Sequence, residues 1–78
     1  MPQTELDCKG MRCPMPIVKI SLAMKHLQAG DRLAVEATDP AFHPDLVAWT
    51  RQLGHTLVEF QAGAVQRAVV VKGDCLVC

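Results

Sequence analysis

Glycines and one Asp-Pro pair fall at Gly10, Gly30, Asp39-Pro40, Gly54, Gly63 and Gly73, and they cut a 78-residue chain into short segments, each with a readable period. Residues 4–8 alternate as a strand. Residues 14–28 place Ile17, Ile20, Met24 and Leu27 on one helical face, with Ala23 beside them, and Gly30 follows as a stop. Residues 32–38 alternate again, with Leu33, Val35 and Ala37 pointing inward. Residues 43–53 predict a second helix with Leu46, Trp49, Thr50 and Leu53 on one face, Pro44 in its first turn and Gly54 at its end. Residues 56–61 and 66–72 read as strands, joined by a stretch short enough for a hairpin.

The order is β-α-β-α-β-β. Strands alternating with helices imply right-handed parallel crossovers, and the closing hairpin makes the last strand antiparallel. The expected class is α+β: a two-layer α/β sandwich with a four-stranded mixed sheet and two helices on one face. A single domain spans 1–78, with its core at about 4–73 and a cysteine-containing tail at 74–78. A domain of this size buries a thin core and has little room for a deep pocket. Chemistry on one exposed atom suits it better than enclosure of a large substrate.

Eight basic side chains balance eight acidic ones, and the aromatics are limited to Phe42, Trp49 and Phe60. Neither a nucleic-acid backbone nor an anionic membrane finds a complementary field or stacking platform here. The Met-Pro-Gln-Thr-Glu start has no charged region leading into an apolar run, so a cytoplasmic location is expected. Thiols stay reduced there, and the four cysteines are not a disulfide framework.

Cys13 stands apart from the other three. It precedes Pro14, which disfavours helical geometry at Cys13 and places it at the N-cap of the first helix. Pro14 then opens the helix and Pro16 stays within its first turn, where prolines cost no hydrogen bond. The N–H groups of Met15 and Ile17 remain as free donors. A helix N-terminus stabilises an anion; Arg12 is adjacent, and no acidic residue lies between Lys9 and Lys25. A lowered thiol pKa and a reactive Cys13 are the expectation.

The stretch Leu6-Asp7-Cys8-Lys9-Gly10-Met11-Arg12-Cys13-Pro14-Met15-Pro16 resembles the signature of the TusA (SirA-like) sulfur-carrier family: a Leu-Asp, a Gly, then Cys-Pro-x-Pro opening a helix. Gly30-Asp31, Ala37-Thr38-Asp39-Pro40, Asp45, Trp49 and Gly54-His55-Thr56-Leu57 extend the resemblance over about residues 5–73. It implies the same two-layer fold and a sulfur carrier that takes sulfane sulfur as a persulfide on Cys13. The implied partners are a cysteine desulfurase or rhodanese-type donor and a downstream acceptor protein, in relays such as tRNA 2-thiolation, oxidative sulfur metabolism or molybdenum-cofactor sulfur delivery. That chemistry requires no metal and no organic cofactor.

Around Cys13, the residues Arg12, Pro14, Met15 and Pro16 support the helix start. Met11, Val18 and Leu22 are candidate docking residues, because Val18 and Leu22 lie one turn apart, opposite the core stripe, and lead back toward the thiol. Cys8, Cys75 and Cys78 are candidate secondary thiols, with Cys8 favoured as a small buried strand residue. Cys75-Leu76-Val77-Cys78 departs from the family pattern. A four-thiolate metal site with Cys8 and Cys13 is disfavoured, because an antiparallel last strand exits at the opposite end of the sheet. Asp39 and Asp45 read as capping and helix-dipole residues. Two other readings stand beside the carrier: a non-catalytic regulatory or interaction domain of the same fold, and a redox or metal module using Cys75 and Cys78.

Overall fold

The computed structural model describes residues 3–73. Strand β1 spans Gln3–Cys8, helix α1 Met15–Met24, β2 Arg32–Ala37, α2 Phe42–Leu53, β3 Thr56–Gln61 and β4 Gln66–Val71. The sheet order is β1-β2-β4-β3. Strands β1 and β2 run parallel, and β4 lies antiparallel between β2 and β3. This is the expected α+β sandwich.

Alternation along each strand decides the two faces. Cys8, Leu33, Val35, Ala37, Ala68 and Val70 point to the helices and meet Ile20, Met24, Phe42 and Leu46 in one core. Each large aliphatic side chain buried there contributes about 1.5–3 kcal/mol. The other face carries charge. Arg67 reaches Glu5 at 3.3 Å and Glu36 at 3.7 Å, and Lys9 reaches Glu36 at 3.5 Å. Exposed pairs of this kind add little stability, but they cover the face that a third layer would need to be apolar.

Helix α1 stops four residues earlier than its periodicity predicts. Past Met24 the chain tightens: the N–H groups of Lys25, His26 and Leu27 donate to Leu22, Ala23 and Met24, each three residues back. The Lys72 ammonium, arriving from the end of β4, donates to the carbonyls of Met24 at 2.8 Å and Leu27 at 2.6 Å. It satisfies acceptors that a continuing helix would have used. Helix α2 begins one residue earlier than predicted, at Phe42, whose ring enters the core.

Helix α2 ends on Gly54, which adopts φ +76°, the left-handed conformation that glycine takes without strain. The next residue, His55, is buried. Its Nδ1 accepts a hydrogen bond from the Gly73 N–H at 2.9 Å, and its ring packs against Trp49. Gly73 sits so close to this turn that a Cβ there would come 1.8 Å from the Gly54 carbonyl oxygen. Burial, and secondarily Lys72, holds the His55 pKa below its ordinary value. The unfolded chain therefore binds more protons than the folded one below about pH 6.5. Stability is complete above that pH and falls as acid carries it through the depressed folded value. Melting temperature is expected to fall between pH 7.5 and pH 5, and His55→Gln should reduce that fall.

Candidate functional site

Because β1 and β2 are parallel, with Cys8 opposite Ala37, both strands deliver their following loops to the same end of the sheet. Residues 9–14 from β1 and 38–41 from β2 are tied together there. The Gly10 N–H donates to Thr38 Oγ1 at 2.9 Å, and the Cys13 N–H donates to Asp39 Oδ2 at 2.5 Å. A tight turn ahead of the helix is closed by the Met11 N–H to the Cys8 carbonyl, and a second by the Met15 N–H to the Arg12 carbonyl. Cys13 is exposed at the top of this assembly. It borders an open hollow shared with Gly10, Met11, Arg12, Thr38, Asp39 and Pro40.

Two expectations about Cys13 are corrected. The N-cap of α1 is Pro14, at φ −95° and ψ 12°, so Cys13 lies one residue outside the helix and Pro16 occupies its second position. The Cys13–Pro14 peptide is cis. The Met15 N–H, expected to be free, is taken by the Arg12 carbonyl, which moves the helix start forward by one residue. The second correction is electrostatic. The flank of Cys13 is acid-free along the sequence but not in space. Its Sγ–H donates to Asp45 Oδ2 at 2.6 Å, from the first turn of α2.

That hydrogen bond is the leading cause that pushes the Cys13 thiol above its ordinary pKa. Partial desolvation and the charges of Asp45 and Asp39 push the same way. The expectation of a lowered pKa is thus overturned by two carboxylates from another part of the chain. Asp39 does perform the expected turn role, accepting from the Ala41 N–H through Oδ1 while its carbonyl accepts from Phe42. Its other oxygen grips Cys13. Along the sequence the two aspartates read only as capping and helix-dipole residues. The available signal was their place within the Asp39-Pro40 to Asp45 stretch that accompanies Cys-Pro-x-Pro in the family pattern.

The remaining candidates separate clearly. Met15, Val18 and Leu22 are exposed. Val18 and Leu22 line a shallow apolar groove with Pro14, Ile17, Ser21 and Trp49. Met11 is half-buried and packs partly against the core, so it borders the Cys13 hollow without standing out on the surface. Cys8 is fully buried, and burial raises its pKa, with Asp7 adding to the rise. A sealed, protonated thiol does not fit a secondary sulfur stop. Cys75 and Cys78 lie outside the described residues. Strand β4 ends with Val71 opposite Arg32, at the far end of β2 from the Cys13 loop. His26 is exposed, and His43 stacks on Phe60 at 3.9 Å. No cluster of three metal-ligating side chains occurs among the described residues, and no helix among them is long and apolar enough to cross a membrane.

The family model described as Sulfurtransferase TusA matches residues 4–72. The "Putative sulfur carrier protein YrkI" of Bacillus subtilis is 50% identical over 54 residues, covering 69% of this chain and 72% of that protein. A second protein of that organism, "Putative sulfur carrier protein YrkF", is 45% identical over 69 residues. The match covers 87% of this chain but only 37% of YrkF, so the chain corresponds to a minor part of that longer relative. The crystal structure of a SirA-like protein from Desulfitobacterium hafniense superposes with a TM-score of 0.76 at 20% identity, covering 91% of this chain and 99% of that one. At that identity it is the fold that the two share.

Proposed function

Since the chain belongs to the TusA family, we propose that it is a sulfur carrier that takes sulfane sulfur as a persulfide on Cys13 and passes it to a partner protein. The observation that carries this reading is the contrast between the two described cysteines: Cys8 is sealed in the core and Cys13 is exposed on a braced loop. Sulfur exchange between proteins needs a thiol that two different partners can approach in turn.

The step follows thiol exchange chemistry. The Cys13 sulfur attacks the outer sulfur of a donor persulfide. A bond forms between them, the donor's sulfur–sulfur bond breaks, and the electron pair leaves on the donor's inner sulfur. An acceptor thiolate then attacks the outer sulfur now held on Cys13 and releases the Cys13 thiolate. No net oxidation or reduction accompanies either transfer. A cysteine desulfurase or a rhodanese-type protein has the chemistry of the donor. The acceptor is a protein thiol of a relay, serving tRNA thiolation or oxidative sulfur metabolism. The reaction is one that cytoplasmic reducing conditions support.

Incubation of the protein with glutathione persulfide, followed by intact-mass and peptide-mapping mass spectrometry, tests the reading. One added sulfur atom on Cys13 is the expected result; no adduct on the wild type would overturn it.

Partner docking falls to the groove beside the thiol. Val18 and Leu22 are 41% and 52% exposed and line this groove with Trp49 and with Pro14, the residue that follows Cys13. Val18→Asp combined with Leu22→Asp places two charges where an apolar partner surface would settle. Transfer to or from a protein partner is expected to slow about tenfold or more, with loading from glutathione persulfide and the melting temperature little changed. Unchanged protein-to-protein transfer would remove this face from the docking surface.

A further inference from the structure

Cys13 is held by two carboxylates that the transfer chemistry described above does not use. Asp39 Oδ2 takes its backbone N–H, and Asp45 Oδ2 takes its Sγ–H. Both come from the segment that follows β2, and each is fixed by more than its contact with Cys13. The Asp39 side chain also accepts from the Ala41 N–H. Asp45 stands in the first turn of α2, with its own N–H donated to the Ala41 carbonyl. The Cys13 loop itself is tied to Thr38 through Gly10. The thiol proton is thereby aimed at one carboxylate oxygen by structure on both sides.

We propose that Asp45 is the proton acceptor of Cys13: it holds the Sγ–H of the empty carrier and receives that proton as Sγ bonds to the incoming sulfur. This rests on the carrier reading and adds to it the residue that makes loading a proton-coupled step.

The balance is as follows. Sγ attacks the outer sulfur of a donor hydropersulfide, and the Sγ–H proton moves to Asp45 Oδ2. The donor sulfur–sulfur bond breaks and its electron pair stays on the donor's inner sulfur. Asp45 then returns the proton to that leaving thiolate. Cys13 ends as a persulfide, the donor as a thiol, and Asp45 as the carboxylate it began as. Without a local acceptor, Cys13 would have to be a thiolate beforehand, beside two carboxylates that oppose its charge. The charged groups that act on the thiol are Asp45 from α2 and Asp39 from the loop after β2, and Arg12 lines the same hollow. Asp45 is the stronger of the two opposing carboxylates, so removing its charge shifts the balance toward the anion.

Two reactions of the full-length protein separate this role from a merely electrostatic one. Iodoacetamide alkylation of Cys13 follows the thiolate fraction. Loading from glutathione persulfide requires the proton to be moved. In Asp45→Asn, close in shape and with the helix turn retained, the alkylation profile should shift to lower pH, and the rate at pH 7 should rise about threefold or more. Sulfur loading at pH 7 should fall about tenfold or more. Asp45→Glu should recover part of the loading. An unchanged alkylation profile would show that Asp45 does not hold the proton. Alkylation and loading that rise together would make Asp45 an electrostatic brake and overturn the transfer step. If the wild type fails to load at all, the carrier reading fails and the transfer step with it, while the alkylation profile still decides whether Asp45 holds the proton. Circular dichroism of both variants establishes that they are folded.

Discussion

Cys13→Ser is expected to take up no sulfur from glutathione persulfide while its stability stays within about 0.5 kcal/mol of the wild type. The two halves of that expectation have separate causes. A serine hydroxyl is far less acidic and less nucleophilic than a thiol, and attack on a persulfide sulfur needs the latter. Yet serine is nearly the same size, its Oγ–H can donate to Asp45 Oδ2 as Sγ–H does, and the position is exposed, so nothing in the fold depends on the sulfur. The backbone N–H bonded to Asp39 is untouched. Peptide mapping extends the test to every thiol. Cys8 should remain unmodified because it is sealed. An adduct that persists on Cys75 or Cys78 would move the carrier role to the chain end. A Cys13→Ser protein that supports partner function as well as the wild type would favour a regulatory domain over a carrier.

The fold was legible in the sequence wherever the signal was local. Gly54 stops α2, and the 62–65 hairpin joins β3 to β4, whereas α1 ends at Met24, six residues short of the stop that Gly30 predicts. The alternation of Leu33, Val35 and Ala37 fixes which face of β2 meets the helices, and the structure keeps all three. What escaped was set at long range. Nothing near Met24 announces that α1 should end there, because part of the cause is Lys72, separated from Met24 by 48 positions. Periodicity continues to Leu27, which does pack on the core, but in a tightened turn.

The site shows the same division. Cys13, its prolines and its exposure followed from a few consecutive residues. The charge around it did not. Asp39 and Asp45 lie 26 and 32 positions further along, and only the parallel pairing of β1 with β2 brings their loop to Cys13. Along the chain the flank of Cys13 is basic, whereas folding supplies acids at hydrogen-bond distance. In a sheet that gathers loops at one end, sequence-local electrostatics is a poor guide to the pKa of a loop thiol.

Phe42 joins the fold to the site, and Phe42→Ala is expected to cost about 3–5 kcal/mol. Its ring is 1% exposed and is the largest of the fully buried side chains. A domain this small holds on the order of 5–10 kcal/mol in total, so the variant should be partly unfolded at moderate temperature. Urea denaturation measures the loss, and Phe42→Leu, which refills most of the volume, should recover the greater part of it. A loss below about 1 kcal/mol would mean that the site collapses around the cavity and that Phe42 is not the anchor of α2. The consequence reaches the thiol. Phe42 is the first residue of α2, its N–H is bonded to the Asp39 carbonyl, and Asp45 follows in the same turn. Loosening that turn frees both carboxylates from their hold on Cys13. In conditions where Phe42→Leu is fully folded, any displacement of the turn should appear as faster iodoacetamide alkylation of Cys13, although residue 42 has no part in the chemistry.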